Sequence, residues 1–201
     1  MPIYALNSIV PVIEKGAYVH PDAVLIGDVF VMKGAFVAPF ATMRGDLGRL
    51  ILGEGANLQE HCCMHGFPGT DTVVEKNGHI GHGAILHGCH IGENVLVGMN
   101  STVLDNASIG KNSILGAGST VTSNTKIGEG KLALGSPAKE VRDLNSDEID
   151  WKSKGTHEYQ ALVDLYQTKL RVCQAETKVD LNRPRLNYSS YQHKGKQSIN
   201  T

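Results

Sequence analysis

Neither sign of charge prevails in this sequence: 19 lysines and arginines stand against 20 aspartates and glutamates. With no net positive field and no basic cluster to follow a phosphate backbone, nucleic acid is not an expected partner. Paired cysteines are missing as well. Cys62, Cys63, Cys89 and Cys173 form no CxxC motif and no disulfide-framework spacing, and the opening MPIYALNSIVPVIEKG has no charged segment leading into an apolar core, so an export signal is not expected. No run of about 18 apolar residues is present to span a bilayer. The expectation is a protein of a reducing cytoplasm with no membrane partner, long enough for one main domain and an appendage.

What the chain does have is a repeat. Stepping by six from Ile85 reaches Ile91, Val97, Val103, Ile109, Leu115, Val121 and Ile127, all aliphatic. Glycine follows at Gly92, Gly98, Gly110, Gly116 and Gly128, and small residues recur at Ser101, Ala107, Ser113 and Ser119. The same period runs through Val19, Leu25, Val31, Val37 and Met43, and again through Leu52, Leu58 and Met64. A six-residue unit is too short for a helix pair or a propeller blade. It suits one short strand and one corner of a parallel β-helix, the aliphatic pointing inward and glycine or asparagine turning the corner. The pattern resembles the hexapeptide repeat of left-handed β-helix proteins, a mainly β fold in which three hexads close one triangular coil and neighbouring coils lie about 4.8 Å apart.

Two steps break the period, Met43 to Leu52 and Met64 to Ile85, each three residues beyond a multiple of six. If the extra residues bulge out at GDLGRL and within TDTVVEKNG, the hexads at Met43, Met64 and Ile85 share a face, and Arg44, His65 and His87 stack along one edge. The hexads stop at LALGSPAKEVRDL, where Gly135 and Pro137 turn the chain away. Asn145 or Ser146, with Glu148, suits the start of a short helix through Trp151. A second start at Thr156 leads into an apolar stripe of Tyr159, Leu162, Val163, Tyr166, Leu170 and Cys173, expected to pack along the coil. The expected divisions are a metal-binding β-helix over 1–140, a helical segment over 141–175 and a polar tail over 176–201, mobile unless a neighbouring subunit holds it.

Four histidines, His79, His82, His87 and His90, crowd the stretch HIGHGAILHGCH. His65, His82 and His87 sit in MHG, GHG and LHG, where glycines leave room beside the ring. Three neutral imidazoles with an open fourth position describe a catalytic zinc-type site. His65 and His87 can meet on stacked coils, whereas His82 lies around a corner, so a neighbouring subunit of a trimer is expected to deliver it. The remaining histidines, His79 and His90 among them, read as corner residues facing solvent. Cys62 and Cys89 read as packed small residues.

RGD at 44–46, NLQE at 57–60, CMHG at 63–66 and HIGHGAILHG at 79–88 together resemble the gamma-class carbonic anhydrase signature, over about residues 10–140. Longer strings, including VHPDAVLIGDV, LVGMNS, GSPAK and the distal WKxxGTHEYQ, are most similar to the PaaY/CaiE branch of that family and carry the likeness to about residue 170. The resemblance implies that His65, His82 and His87 are the metal ligands, that Arg44 and Asp46 form an intersubunit ion pair, and that Asn57 and Gln59 line the site, with Asn57 toward substrate. Glu60 replaces an aspartate, and the acidic loop that supplies a proton-shuttle glutamate is absent; Glu75 is the one glutamate in its place.

A zinc-class ion, with iron or cobalt as alternatives, would offer hydroxide near neutral pH. Gln59 is then the candidate to hydrogen-bond the hydroxide or the electrophile, and Glu60 the orienter or proton acceptor. The branch resemblance implies hydrolysis of an acyl-CoA thioester, notably ring-hydroxylated phenylacetyl-CoA. Carbon dioxide hydration is the alternative; a hexapeptide acyltransferase or a non-catalytic trimeric scaffold stands further back.

Overall fold

A computed structural model describes residues 2–186. Within them the chain winds as a left-handed parallel β-helix followed by one long helix. The reason is visible in the residue stacking: Ile91, Ile109 and Ile127 pair in register on one face, Val97, Leu115 and Ala133 on the next, and Leu86, Val103 and Val121 on the third. Each of these side chains points into the prism and is almost wholly withdrawn from water. Every such aliphatic contributes roughly 1.5–3 kcal/mol by its burial, and two-residue strands suffice because each is bonded above and below. At the corners, Asn94, Asn100, Asn106, Asn112 and Asn124 take positive φ between 55° and 63°, a conformation asparagine tolerates better than other residues with a side chain.

The phase around the histidines differs from the expected one. Leu86, not Ile85, points inward: Leu86 has no exposed surface, whereas Ile85 is 44% exposed. Only five residues separate Leu86 from Ile91, because the corner is turned at Gly88 with φ 55° and uses one residue fewer. Three extra residues enter between Gly45 and Leu50 within the strand Thr42–Leu52, as expected, where the register against the strand Val24–Val31 shifts. The second insertion lies at residues 66–71, closed by a bridge between Phe67 and Thr70, just ahead of the strand Thr72–Val74 rather than within it.

After the last coil the chain reverses in an antiparallel hairpin, Lys131–Gly135 against Ala138–Asp143. The two expected helical segments are one continuous helix, Ser146–Lys169. Asn145 caps it: its side chain accepts from the Glu148 N–H while Glu148 accepts from the Asn145 N–H, and Arg142 grips Glu148 with both guanidinium nitrogens. Gly155 does not interrupt it; this glycine is buried. The helix runs back along one face of the prism. Lys152 reaches Asn77 and Asn94, Gln160 reaches Gly55, and Gln167 reaches Ala17. Its last turns close over Tyr18 and Phe36, where Tyr166 packs edge-on against both rings. Residues 170–186 form no helix or strand, and positions 187–201 of the expected tail, His193 included, lie outside the described residues. No helix among the described residues is long and apolar enough to cross a membrane.

Candidate metal centre

Strand register brings Arg44, His65 and His87 into one stack, each directly above the next. His65 Nδ1 and His87 Nε2 stand 3.1 Å apart. The opposite nitrogen of each ring faces a carboxylate: His65 Nε2 meets Asp46 Oδ1 at 2.8 Å and His87 Nδ1 meets Asp105 Oδ1 at 2.5 Å. Asp46 also accepts from Arg44 Nη1 at 2.5 Å. Burial works to raise the Asp46 pKa, but the hydrogen bonds from His65 and Arg44 outweigh it and hold the carboxyl below its usual range. Asp46 is therefore an anion at neutral pH, and each ring proton is drawn to its carboxylate.

His82 lies around the corner and carries the same kind of partner, Glu60 Oε2, 2.6 Å from its Nδ1. This pair is half-exposed. Among the described residues of the single chain, no three His, Cys, Asp or Glu side chains gather around one point, so His82 does not join His65 and His87 within one subunit. Asp105 was not singled out in the sequence: the coil above His87 is one residue short, with Leu86 paired to Val103, so Asp105 lies one residue past the stacked position and a six-residue count does not mark it.

His79 differs most from its expected place at a solvent-facing corner. It is largely enclosed, packed edge-on against Tyr159 with ring centroids 5.2 Å apart. Burial, with smaller contributions from Lys152 and His82, pushes its pKa down to about 3. Gln59 donates to its Nε2 at 2.7 Å and to Asn57 Oδ1 at 3.0 Å, while Gln59 Oε1 accepts the backbone N–H of His82 at 3.2 Å. His79 Nε2 is thus an acceptor. Its Nδ1 faces both the Thr156 hydroxyl of the helix and the Asn57 side-chain nitrogen, each 3.3 Å away. Both amide hydrogens of Gln59 are committed within the chain. Asn57 has no exposed surface and stands behind Gln59.

The other histidines are simpler. His90 pairs with Glu75 at 2.8 Å on the Ile91 face of the prism, around a corner from the His65–His87 stack, which places Glu75 away from that pair. His61 stacks on Phe40, His20 bonds the backbone of Asp22, and His157 is exposed. Burial pushes the thiols of Cys62 and Cys89 up to about 12 and raises that of Cys63, so all three are neutral thiols at ordinary pH.

Along the helix-bearing face a cavity of about 510 Å³ runs between the coil and the first half of the helix, with Gln59 and His82 in its wall.

Comparison with known proteins agrees with this architecture. The family described as "Bacterial transferase hexapeptide (six repeats)" matches residues 88–123. The carnitine operon protein CaiE of Citrobacter koseri is 51% identical over 92% of this chain and 94% of its own length. CaiE of Escherichia coli K12 is 50% identical over 92% of this chain and 95% of its own. Among solved structures, the product of the Bacillus cereus BC4754 gene superposes with a TM-score of 0.81 at 32% identity, covering 83% of this chain and 96% of that one. A hexapeptide transferase family protein from Anaplasma phagocytophilum gives 0.79 at 35% identity, covering 82% and 98%.

Proposed function

This chain belongs to the CaiE family of hexapeptide-repeat proteins, and we propose that it is a metal-dependent acyl-CoA thioesterase whose active site is completed between subunits of a trimer. One observation carries the reading: His65 Nδ1 and His87 Nε2 face each other at 3.1 Å while carboxylates hold the far nitrogens. Neutral rings in those tautomers turn lone pairs toward one another, an arrangement that a cation between them relieves. Two tetrahedral ligands at about 2.05 Å from zinc stand ~3.3 Å apart, close to the separation found. Iron or cobalt suits the same imidazoles. His82, oriented by Glu60, is a third donor of the same construction, and a neighbouring subunit would present it. A divalent ion held there supplies Lewis acidity that brings the pKa of coordinated water toward about 7.

The remaining roles belong to the chain's own groups. Asp46, Asp105 and Glu60 fix the three tautomers. Gln59, itself held by His79 and Asn57, anchors the backbone of His82. Arg44 keeps Asp46 ionised and is placed for a second ion pair across the subunit boundary. Glu60 is the half-exposed carboxylate available to take a proton as water adds to the thioester carbon; the C–S bond then breaks, and the proton leaves with the CoA thiol. Hydroxylated phenylacetyl-CoA is the first substrate to try.

Acyl transfer is the second reading, favoured by the family description and by the His82–Glu60 pair, which has the form of an oriented general base. The decisive experiment measures CoA release from acetyl-, phenylacetyl- and ring-hydroxylated phenylacetyl-CoA by chelator-stripped and metal-reconstituted protein, beside a carbon dioxide hydration assay. Metal-restored release without an acceptor supports the thioesterase. Release that needs an amine or alcohol acceptor and ignores the chelator overturns it in favour of the transferase, and hydration alone would return the protein to carbonic anhydrase chemistry.

A further inference from the structure

The cavity beside His82 has a definite construction. Its floor on the coil is nearly bare backbone, at Gly98, Gly116 and Ala117. A side chain could not be added there without displacement, since a Cβ on Gly98 would fall 2.4 Å from the Ala117 nitrogen and one on Gly116 2.1 Å from Leu134 Cδ2. Its roof is one flank of the helix, where Glu148, Trp151, Gly155, Glu158 and Tyr159 recur at helical spacing. The neighbouring flank, with Lys152, Thr156 and Gln160, is bolted to the coil by hydrogen bonds. The helix is therefore pinned along one side and stands clear along the other. Leu96, Met99, Ile114, Leu132 and Leu144 make the remaining wall almost entirely hydrocarbon. Glu148 is turned onto Arg142 and the helix start, so its charge is answered outside the hollow.

The polar exceptions are the Glu158 carboxylate on the roof and the end formed by Gln59, His79 and His82. The volume lies in the range of about 300–1,000 Å³ typical of small-molecule sites. We infer that this hollow is the acyl-binding site and that it takes a neutral, bulky acyl group, aryl or branched alkyl, whose thioester carbon comes to rest at the His82 end. The assignment rests on the thioesterase reading for the thioester itself, but the binding of the apolar part does not depend on turnover. Acetyl groups leave the hollow empty and gain nothing from it. A trimethylammonium acyl group is the rival occupant: Glu158 and the faces of Trp151 and Tyr159 would attract it, but it would have to strip its charge of water against the hydrocarbon of the remaining wall.

Trp151 is the sole tryptophan of the sequence and lines the cavity, so its emission reports on this site alone. The test titrates full-length metal-loaded protein with three non-hydrolysable thioethers: S-(2-oxo-3-phenylpropyl)-CoA, S-(2-oxopropyl)-CoA, and the analogue bearing a 4-trimethylammonio-2-oxobutyl group. The phenyl compound is expected to shift Trp151 emission and to bind at least tenfold tighter than the methyl compound. Ile114→Phe should remove that advantage without changing the affinity of the methyl compound, while Ile114→Ala retains it, which separates filling of the hollow from a folding defect. Equal affinities with Trp151 unmoved would overturn the assignment even if thioesters are hydrolysed. Binding of the cationic analogue as tight as the phenyl one would overturn the neutral class. A Trp151 shift with the phenyl compound in a protein that hydrolyses no thioester would sink the thioesterase reading and leave the site standing. Failure of every analogue to bind contradicts both.

Discussion

Two stretches of the same prism behave differently. From Ile91 to Ile127 every step is six residues, the side chain at each step is aliphatic and buried, and asparagine or glycine at positive φ turns the corners. From Met43 to His90 the spacing gains three residues, then four, then loses one, and the candidate ligands, their carboxylate partners Asp46 and Glu60, and the buried His79 all fall within it. Regular coils give a ladder whose outward positions repeat every eighteen residues. Each insertion or deletion re-aims the side chains beside it, and the chemistry has collected where the ladder is re-aimed. Asp105 lies beyond that stretch on a regular coil, one residue past the position stacked on His87, since the shortened corner sets Leu86 against Val103.

Removing a ligand should have the largest effect. His87→Ala is expected to lower metal content to background and hydrolysis to the level of chelator-stripped protein, with the coil still folded by circular dichroism. Leu115→Ala, in the regular stretch, should do the reverse, costing about 2–5 kcal/mol in denaturant unfolding while the folded protein keeps its metal. Asp105→Asn is expected to weaken metal affinity about 10–100-fold without loss of fold, measured by competition with a chromogenic chelator.

His79 and Lys152 predict a pH dependence. The folded pKa of His79 is depressed to about 3 from 6.5, so below pH 6.5 the unfolded chain takes up a proton that the folded chain refuses. Stability should fall by roughly 1.4 kcal/mol per pH unit between 6.5 and about 3 from this group, and His79→Gln should flatten that limb in acid titration. Burial likewise brings Lys152 down to about 7 from 10.5, so its contribution makes stability rise with pH across that window. The smallest effect belongs to the corners: Asn112→Ala should cost about 1–2 kcal/mol, because alanine resists φ 57°, and Asn112→Gly much less.

The prism was legible from the six-residue period because inward burial is a local rule. Register errors arose where a corner changes length: nothing in ILHGCHIG marks Gly88 as absorbing a residue, and Ile85 and Leu86 are equally apolar. The restart expected at Thr156 does not occur, because the Asn145 cap and the hydrogen bonds of Lys152, Thr156 and Gln160 to the coil carry one helix across Gly155. His79 could not be singled out among its neighbours, since its enclosure comes from Thr156 and Tyr159, about eighty residues away, laid over it by the returning helix. The stacking of Arg44, His65 and His87 was readable, because insertions that shift phase do not change which strand lies above which.

Sharing of the site between subunits is most directly tested by complementation. His87→Ala and His82→Ala, each inactive alone, would be co-expressed with different tags and heterotrimers isolated by tandem purification. A site needs an intact His87 from one subunit and an intact His82 from the next, so every mixed trimer, two-to-one or one-to-two, holds one complete site and restores about a third of the sites, and metal content and thioesterase activity should rise together to about that level. Mixed trimers as empty and inactive as either parent would contradict a centre built between subunits.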